Sequence, residues 1–452
     1  MAGQLVAGLF NGLCISLLLA AASVPACSPG TASPAPGPVL ELTHSGAWSW
    51  FQDPRAIHVS GRRNRTYAGW VTRDGRLQVG AYDHATGELE RVTIKEQWEI
   101  DDHNNNSFLV LPDNRIMIFY AEHNRTGLYA RITSNPEDIS QWGEEIVVSA
   151  AHGITYSQPV YLSDEKRFYV FWRGESWKPT FSTSTDGVVW SASRVLLQDR
   201  GREDRSVRPY LKLVSDGQSA IHFAFTDAHP ANEEQNSIYY LKYRGGSFYK
   251  ADGAVVGSMD RLPIQHRDSD LVYDARSRKV RGWVWDIALS DKGAPVIAYT
   301  RLPRPADHRY HYAHWDGLAW RDEEITPGGP WFPQTPSNVT EREPYYSGGI
   351  VIDHQNPSVV YLSRPVNGVF EIERWTVSGS GRRWSSSAIT KGSKQHNVRP
   401  VVPRGNGRSA AAIFWMSGGY VHYTEFDTRI LMRSLLPAAT APDAADVRVL
   451  LP

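Results

Sequence analysis

The sequence predicts an all-β fold, a seven-bladed β-propeller, and three observations predict it. From about residue 42, short runs of β-branched and aromatic residues recur, broken by Gly, Asp and Asn turns. Amphipathic helical stretches are nearly absent. A turn followed by an aromatic residue returns at Trp190, Phe248, Trp320 and Trp384, at intervals of 58, 72 and 64 residues. That spacing suits four-stranded blades with loop insertions, and roughly 400 residues at this period give six or seven blades, of which seven is the expectation.

The 452-residue chain opens on an apolar run that ends in small residues before Cys27. Residues 1–27 read as an export signal, although no positively charged stretch leads into them. Val24-Pro25-Ala26-Cys27 resembles a bacterial lipobox. Two readings stay open: a cleaved signal and a secreted protein, or a periplasmic or outer-surface lipoprotein whose only membrane link is a lipid on Cys27. No later segment is long and apolar enough to span a bilayer. Residues 28–41, rich in Pro, Ser and Gly, read as a disordered linker. The propeller is expected over 42–427 and a C-terminal tail over 428–452.

Within the propeller, 66–71 and 77–82 carry strand patterns, and 108–111 and 116–120 form a hairpin across Pro112-Asp113-Asn114. The turn Ser184-Thr185-Asp186-Gly187 before Trp190 resembles the Asp-box of bacterial-neuraminidase-type repeats, which implies a hairpin fold at a blade edge and no catalytic duty. A propeller must close its ring, and the strand near Trp48 and Trp50 is expected to complete the last blade with 409–426. His308, His311 and His314 alternate with Tyr310 and Tyr312, which is a strand pattern.

Composition narrows the function. Lys and Arg together number 48, as do Asp and Glu, so the formal charge is zero and no nucleic-acid footprint is expected. Aromatics reach 11%, with 16 Trp and 21 Tyr, which suits both strand packing and the apolar faces of sugars. The only cysteines are Cys14 and Cys27, so the mature domain holds no disulfide and no thiolate metal site.

Chemistry concentrates at strand ends. His103, in Asp101-Asp102-His103-Asn104, precedes one strand of the 112–114 hairpin, and His123 follows the other. A hairpin brings its outer ends together, so both histidines belong on one rim of one blade. Tyr156 and Arg173 stand in the same relation one blade later, and Arg208, Tyr210 and Lys212 mark the next strand entrance. Equivalent blade ends face the axis, so these residues would line one pocket. Arginine neutralises a carboxylate bidentately, which acidifies the proton alpha to it. Histidine or tyrosine can take that proton, and a second such group can protonate the leaving oxygen. That is uronate β-elimination. No convincing pair of carboxylates is present for glycoside hydrolysis.

These motifs resemble the BNR-repeat propeller family of polysaccharide lyases that contains ulvan lyases and related rhamnosyl-glucuronate lyases. Trp50-Phe51-Gln52-Asp53-Pro54-Arg55-Ala56, the Asp-Asp-His-Asn run, Phe171-Trp172-Arg173-Gly174, Arg208-Pro209-Tyr210 and Tyr345-Tyr346-Ser347-Gly348-Gly349 carry the resemblance. It implies a lyase that cuts a rhamnose-(1→4)-glucuronate bond of an ulvan-like or plant-gum polysaccharide. Carried over by motif, His103, His123, Tyr156 and Arg173 would be catalytic, while Asn104, Arg208, Tyr210 and Lys212 would bind substrate. Base and acid stay undivided between His and Tyr. No cofactor is required by this chemistry. The metal ligands are left open, with a structural calcium ion the better guess than zinc in a domain without cysteine. The partner is an acidic polysaccharide, and a monomer is expected. Two other readings stand beside this one, a rhamnosidase-like or sialidase-like hydrolase, with Arg55 imitating a first sialidase arginine, and a carbohydrate-binding propeller without catalysis.

Overall fold

The computed structural model describes residues 37–198, 208–332, 344–378, 382–405, 407 and 410–436. Seven sheets follow one another along the described residues and form the blades of a β-propeller; their pairing is antiparallel except where Arg404–Gly405 joins Ala56–Ser60 in parallel. The first strands of the blades are Ala56–Ser60, Ser107–Val110, Thr155–Leu162, Leu211–Ser215, Arg281–Leu289, Ile350–Ile352 and Asn397–Val401. First strands of successive blades touch from blade 1 to blade 7, and Arg404–Gly405 joins blade 7's stretch to the first strand of blade 1, so they surround the axis. Their near-complete burial explains their apolar composition, because each is covered on both sheet faces by adjacent blades.

The ring closes differently from the expectation. Blade 7 is built from Asn397–Val401, Ala412–His422, Glu425–Ser434 and, as its outer strand, Val39–Thr43. The closing strand therefore lies before Trp48 and Trp50, partly in the stretch read as linker. The last strand runs through Ser434, beyond residue 427. The signal segment, Cys27 and residues 437–452 lie outside the described residues. Among the described residues no helix is long and apolar enough to cross a membrane.

Residues 48–53 leave the sheet and run into the axis instead. Trp50 stacks on Trp285 with centroids 4.3 Å apart, and Phe51 packs against Tyr156, Tyr210 and Trp283 at 5.3, 5.0 and 5.2 Å. Below them, Lys212 is wholly buried and donates to the Trp50 carbonyl and to Asp53. Arg55 Nε donates to Asp53 Oδ1 at 3.0 Å. This segment is an apolar plug fastened by a buried ionic cluster, and it forms the floor of one mouth of the propeller.

The blade-edge turns form as expected. Asp186 Oδ1 accepts from the amides of Val188 and Val189, both at 2.8 Å, while Gly187 supplies the left-handed conformation (φ 77°). Asp316 does the same for Leu318 and Ala319. The 379–381 part of the Trp384 turn lies outside the described residues. His308, His311 and His314 fall in the strand Asp307–Trp315.

Candidate active site

The site grows from the entrances of the first strands of blades 2, 3, 4 and 7. In blade 2, Asp101 caps a single 3-10 turn, Asp102–Asn104, by accepting the His103 amide at 2.9 Å. The same carboxylate reaches both histidines: Oδ1 lies 2.6 Å from His103 Nδ1 and Oδ2 lies 2.9 Å from His123 Nδ1. The imidazoles stack with centroids 4.0 Å apart and planes 7° from parallel. The hairpin Ser107–Val110 and Ile116–Tyr120 thus brings its two outer ends together as its turn predicts.

Sharing one carboxylate divides the pair electrostatically. Burial works against a charge on His103, but the carboxylates of Asp101 and Asp102 outweigh it and raise its pKa to about 9. Burial, then repulsion from His103, pushes His123 down to about 4. Asp101 is held well below the usual carboxylate range: its burial is outweighed by the two histidines. With Asp101 ionised, each Nδ1–H points at it, and Nε2 is left for other work. At neutral pH the site therefore carries one imidazolium and one neutral imidazole.

In blade 3, Tyr156 occupies a left-handed backbone conformation (φ 66°), and the pairing of Thr155–Leu162 with Arg167–Arg173 slips between Thr155 and Gln158. This bulge aims the tyrosine across the mouth. Its ring lies 5.3 Å from His103 and 4.8 Å from Arg173 Cζ. Burial raises its phenol well above 10, so the hydroxyl keeps its proton. Arg173 donates to Tyr210 Oη and Asn124 Oδ1, both at 2.9 Å, and to Thr155 Oγ1 at 3.1 Å. It is only 7% exposed and makes no ion pair among the described residues, and its Nε is buried without an acceptor there. A nearly buried guanidinium held by neutral groups alone is a site prepared for an anion.

Arg208 stands at the rim, half-buried, 4.4 Å above the Trp177 ring and bonded to Asn232 Oδ1 at 3.0 Å. The structure thus brings together His103, His123, Tyr156, Arg173 and Tyr210, with Arg208 beside them. It does not bring in the other two predicted binding residues. Asn104 is fully buried, and its Nδ2 turns back to Glu99 Oε2 at 3.1 Å, because the tight turn points consecutive side chains apart. Lys212 lies on the same strand face as Tyr210 but one step deeper, inside the axial ionic cluster.

Among the other residues that line the pocket with His103 and Tyr156 are Tyr346, Arg399, Tyr420, His422 and Tyr423. Arg399 (φ 51°) sits where the pairing of Asn397–Val401 slips, a second bulge aimed at the axis. It grips Asp102, which also accepts from Tyr420 Oη at 2.6 Å. Both acidic groups of the pocket are therefore occupied, Asp101 by histidines and Asp102 by Arg399 and Tyr420. Arg55 is likewise spent on Asp53, so it offers no first arginine of a sialidase set.

Asp101, His103 and His123 offer metal-ligating atoms within 4.8 Å of one another. They do not fit calcium, which takes six to eight oxygens. A transition ion would need to lie near both imidazole planes, and stacked, nearly parallel rings share no such point. Replacing Asp101 with Asn is expected to lower the His103 pKa from about 9 towards its ordinary value, read from imidazole proton shifts against pH. The stabilising His103 contribution is complete below that ordinary value and is lost as pH rises through about 9. The gap in thermal midpoint between parent and variant should close over the same range.

Residues 65–327 match the model of a family described as BNR repeat-containing family member. Among solved structures, this chain is similar to a PL25 ulvan lyase bound to -[GlcA(1-4)Rha3S]-, with 14% identity and a TM-score of 0.65, over 87% of this chain and 94% of that one. It is also similar to the polysaccharide lyase Uly1, with 10% identity and a TM-score of 0.53, over 87% and 96% of the two chains. No curated protein sequence matches significantly.

Proposed function

The chain belongs to the BNR repeat-containing family, and from that premise we propose that it is a polysaccharide lyase cleaving a rhamnose-(1→4)-glucuronate linkage by β-elimination. The observation that carries this reading is Arg173, nearly buried, lacking a carboxylate partner among the described residues, and facing a wall of Tyr156, His103 and His123. A uronate carboxylate would supply the missing anion. The similar ulvan lyase was determined with a glucuronate–rhamnose saccharide, which agrees with an acidic substrate.

The chemistry follows from the charges. Arg173 takes the substrate carboxylate, and neutralising that group acidifies the proton on C5. His123, neutral, accepts the C5 proton on Nε2. The C5–H electrons form the C4=C5 double bond while the C4–O bond breaks. His103, protonated, gives the Nε2 proton to the departing oxygen. Tyr156 keeps its proton and donates a hydrogen bond on the carboxylate side. No metal enters any step. We take the enzyme to act as a monomer outside the cell, freely secreted or tethered through Cys27.

A hydrolase would need two working carboxylates, one of them carrying a proton. Asp101 and Asp102 are both committed to cationic partners, which argues against it. The test is ultraviolet absorbance of the unsaturated uronate after mixing the protein with ulvan or gum arabic. The expected result is a rise that His123→Ala loses. Free rhamnose without that rise would favour the hydrolase. The rate should be highest between two limbs, falling as pH drops towards about 4, where His123 gains a proton, and as it passes about 9, where His103 loses one.

A further inference from the structure

We propose that Arg281, lying on Tyr345, forms a second oxyanion subsite on the same rim, taking the sulfate ester or carboxylate of a sugar beyond the one held by Arg173. The inference rests on the proposed acidic saccharide substrate and extends it to a flanking unit.

Arg281 opens the first strand of blade 5, the position that Arg208 and Tyr210 approach in blade 4. Two residues on, and so on the same strand face, Trp283 packs against Tyr210 at 4.8 Å and His229 at 4.9 Å. The strand face that carries Arg281 therefore continues into the aromatic wall of the site. The guanidinium Cζ lies 4.5 Å from the Tyr345 ring centroid, and Nη1 donates to the Pro230 carbonyl at 2.6 Å. The neighbouring Tyr346 meets His229 Nε2 through its hydroxyl at 3.1 Å and lines the pocket with His103 and Tyr156. One short segment anchors both rim arginines, Arg281 through Pro230 and Arg208 through Asn232.

Arg281 shares with Arg173 and Arg208 a charge that no carboxylate balances among the described residues. Arg65, Arg309, Arg364 and Arg382 each grip a carboxylate. Half-buried Arg281 makes no ion pair among the described residues. A tyrosine ring and one carbonyl fix its plane, which leaves most of its fork of donors for a planar or tetrahedral oxyanion. A neutral sugar would not call for such a group.

The experiment measures binding to the full chain carrying His123→Ala, which prevents turnover. Calorimetry compares this parent with Arg281→Ala and Arg281→Lys on ulvan oligosaccharides, native and chemically desulfated. Arg281→Ala is expected to weaken the native ligand about tenfold, and Arg281→Lys, which keeps the charge but not the fork, should recover part of that loss. A loss that vanishes on the desulfated ligand assigns a sulfate ester, and one that persists assigns a carboxylate. Equal affinity of parent and Arg281→Ala for both ligands overturns the subsite. If the otherwise unaltered protein never yields an unsaturated product while Arg281→Ala still weakens binding, the lyase reading fails and the subsite stands. If the parent binds neither ligand, both fail.

Discussion

Replacing Arg173 with alanine is expected to lower kcat/KM for uronate-containing polymers by about a thousandfold, the scale seen when one preorganised donor to a developing anion is removed. The reason is local. The guanidinium is nearly buried, its fork is already oriented by Tyr210, Asn124 and Thr155, and no carboxylate competes for it among the described residues. The donors therefore need not reorganise when charge shifts onto the substrate carboxylate. Arg173→Lys keeps a positive charge but loses the bidentate geometry, so it should recover only part of the rate. The measurement is initial rate by ultraviolet absorbance, with thermal unfolding as a control on the fold. A variant that keeps near-parent kcat/KM would remove the central argument for elimination.

The second large effect concerns the floor of the site. Asp53→Ala is expected to destabilise the protein by about 3–5 kcal/mol, the range for removing one partner of a buried ion pair. Burial opposes the Asp53 charge, yet Lys212, Arg55 and Arg404 outweigh it and hold the carboxyl well below its usual range. Without Asp53, the wholly buried Lys212 ammonium loses its hydrogen-bonded carboxylate and keeps the Trp50 carbonyl, the ring of Phe51 5.9 Å away and the more distant field of Asp286. Chemical denaturation gives the value. Adding Lys212→Met to Asp53→Ala should return part of the lost stability, because the stranded charge goes with it. If the double variant is no more stable than the single one, the ammonium is not the source of the penalty.

The legible part of the site was the part governed by hairpins. The 112–114 turn forces His103 and His123 together, and the pairing of Thr155 with Arg173 does the same for Tyr156. What the sequence concealed has three causes. Alternation says which strand face a residue occupies but not how deep along the axis it lies, and Lys212 therefore sits in the axial cluster instead of the pocket expected for it. Bulges carry no sequence mark, so Arg399, delivered from the seventh blade by a register slip, was invisible. Asp101 stood in view beside His103, but its double grip depends on the stacking of two rings that only the folded hairpin creates. The closing strand was missed because Val39–Thr43 lies at the outer edge of a blade, where half its residues face solvent and its pattern is faint. The two tryptophans that drew attention instead belong to the plug.

Joining Val39–Thr43 to Glu425–Ser434 also has a kinetic meaning. Of the described strands, Val39–Thr43 leaves the ribosome first, and Glu425–Ser434, the strand it needs, leaves last. A half-made chain can assemble individual blades, each a local meander, but the ring stays open with two unsatisfied edges until Glu425–Ser434 has been synthesised. Contacts of such long sequence separation slow the final step of folding. That step also seats residues 48–53 beneath the histidines, so the floor of the candidate site should be the last part of the molecule to acquire its shape.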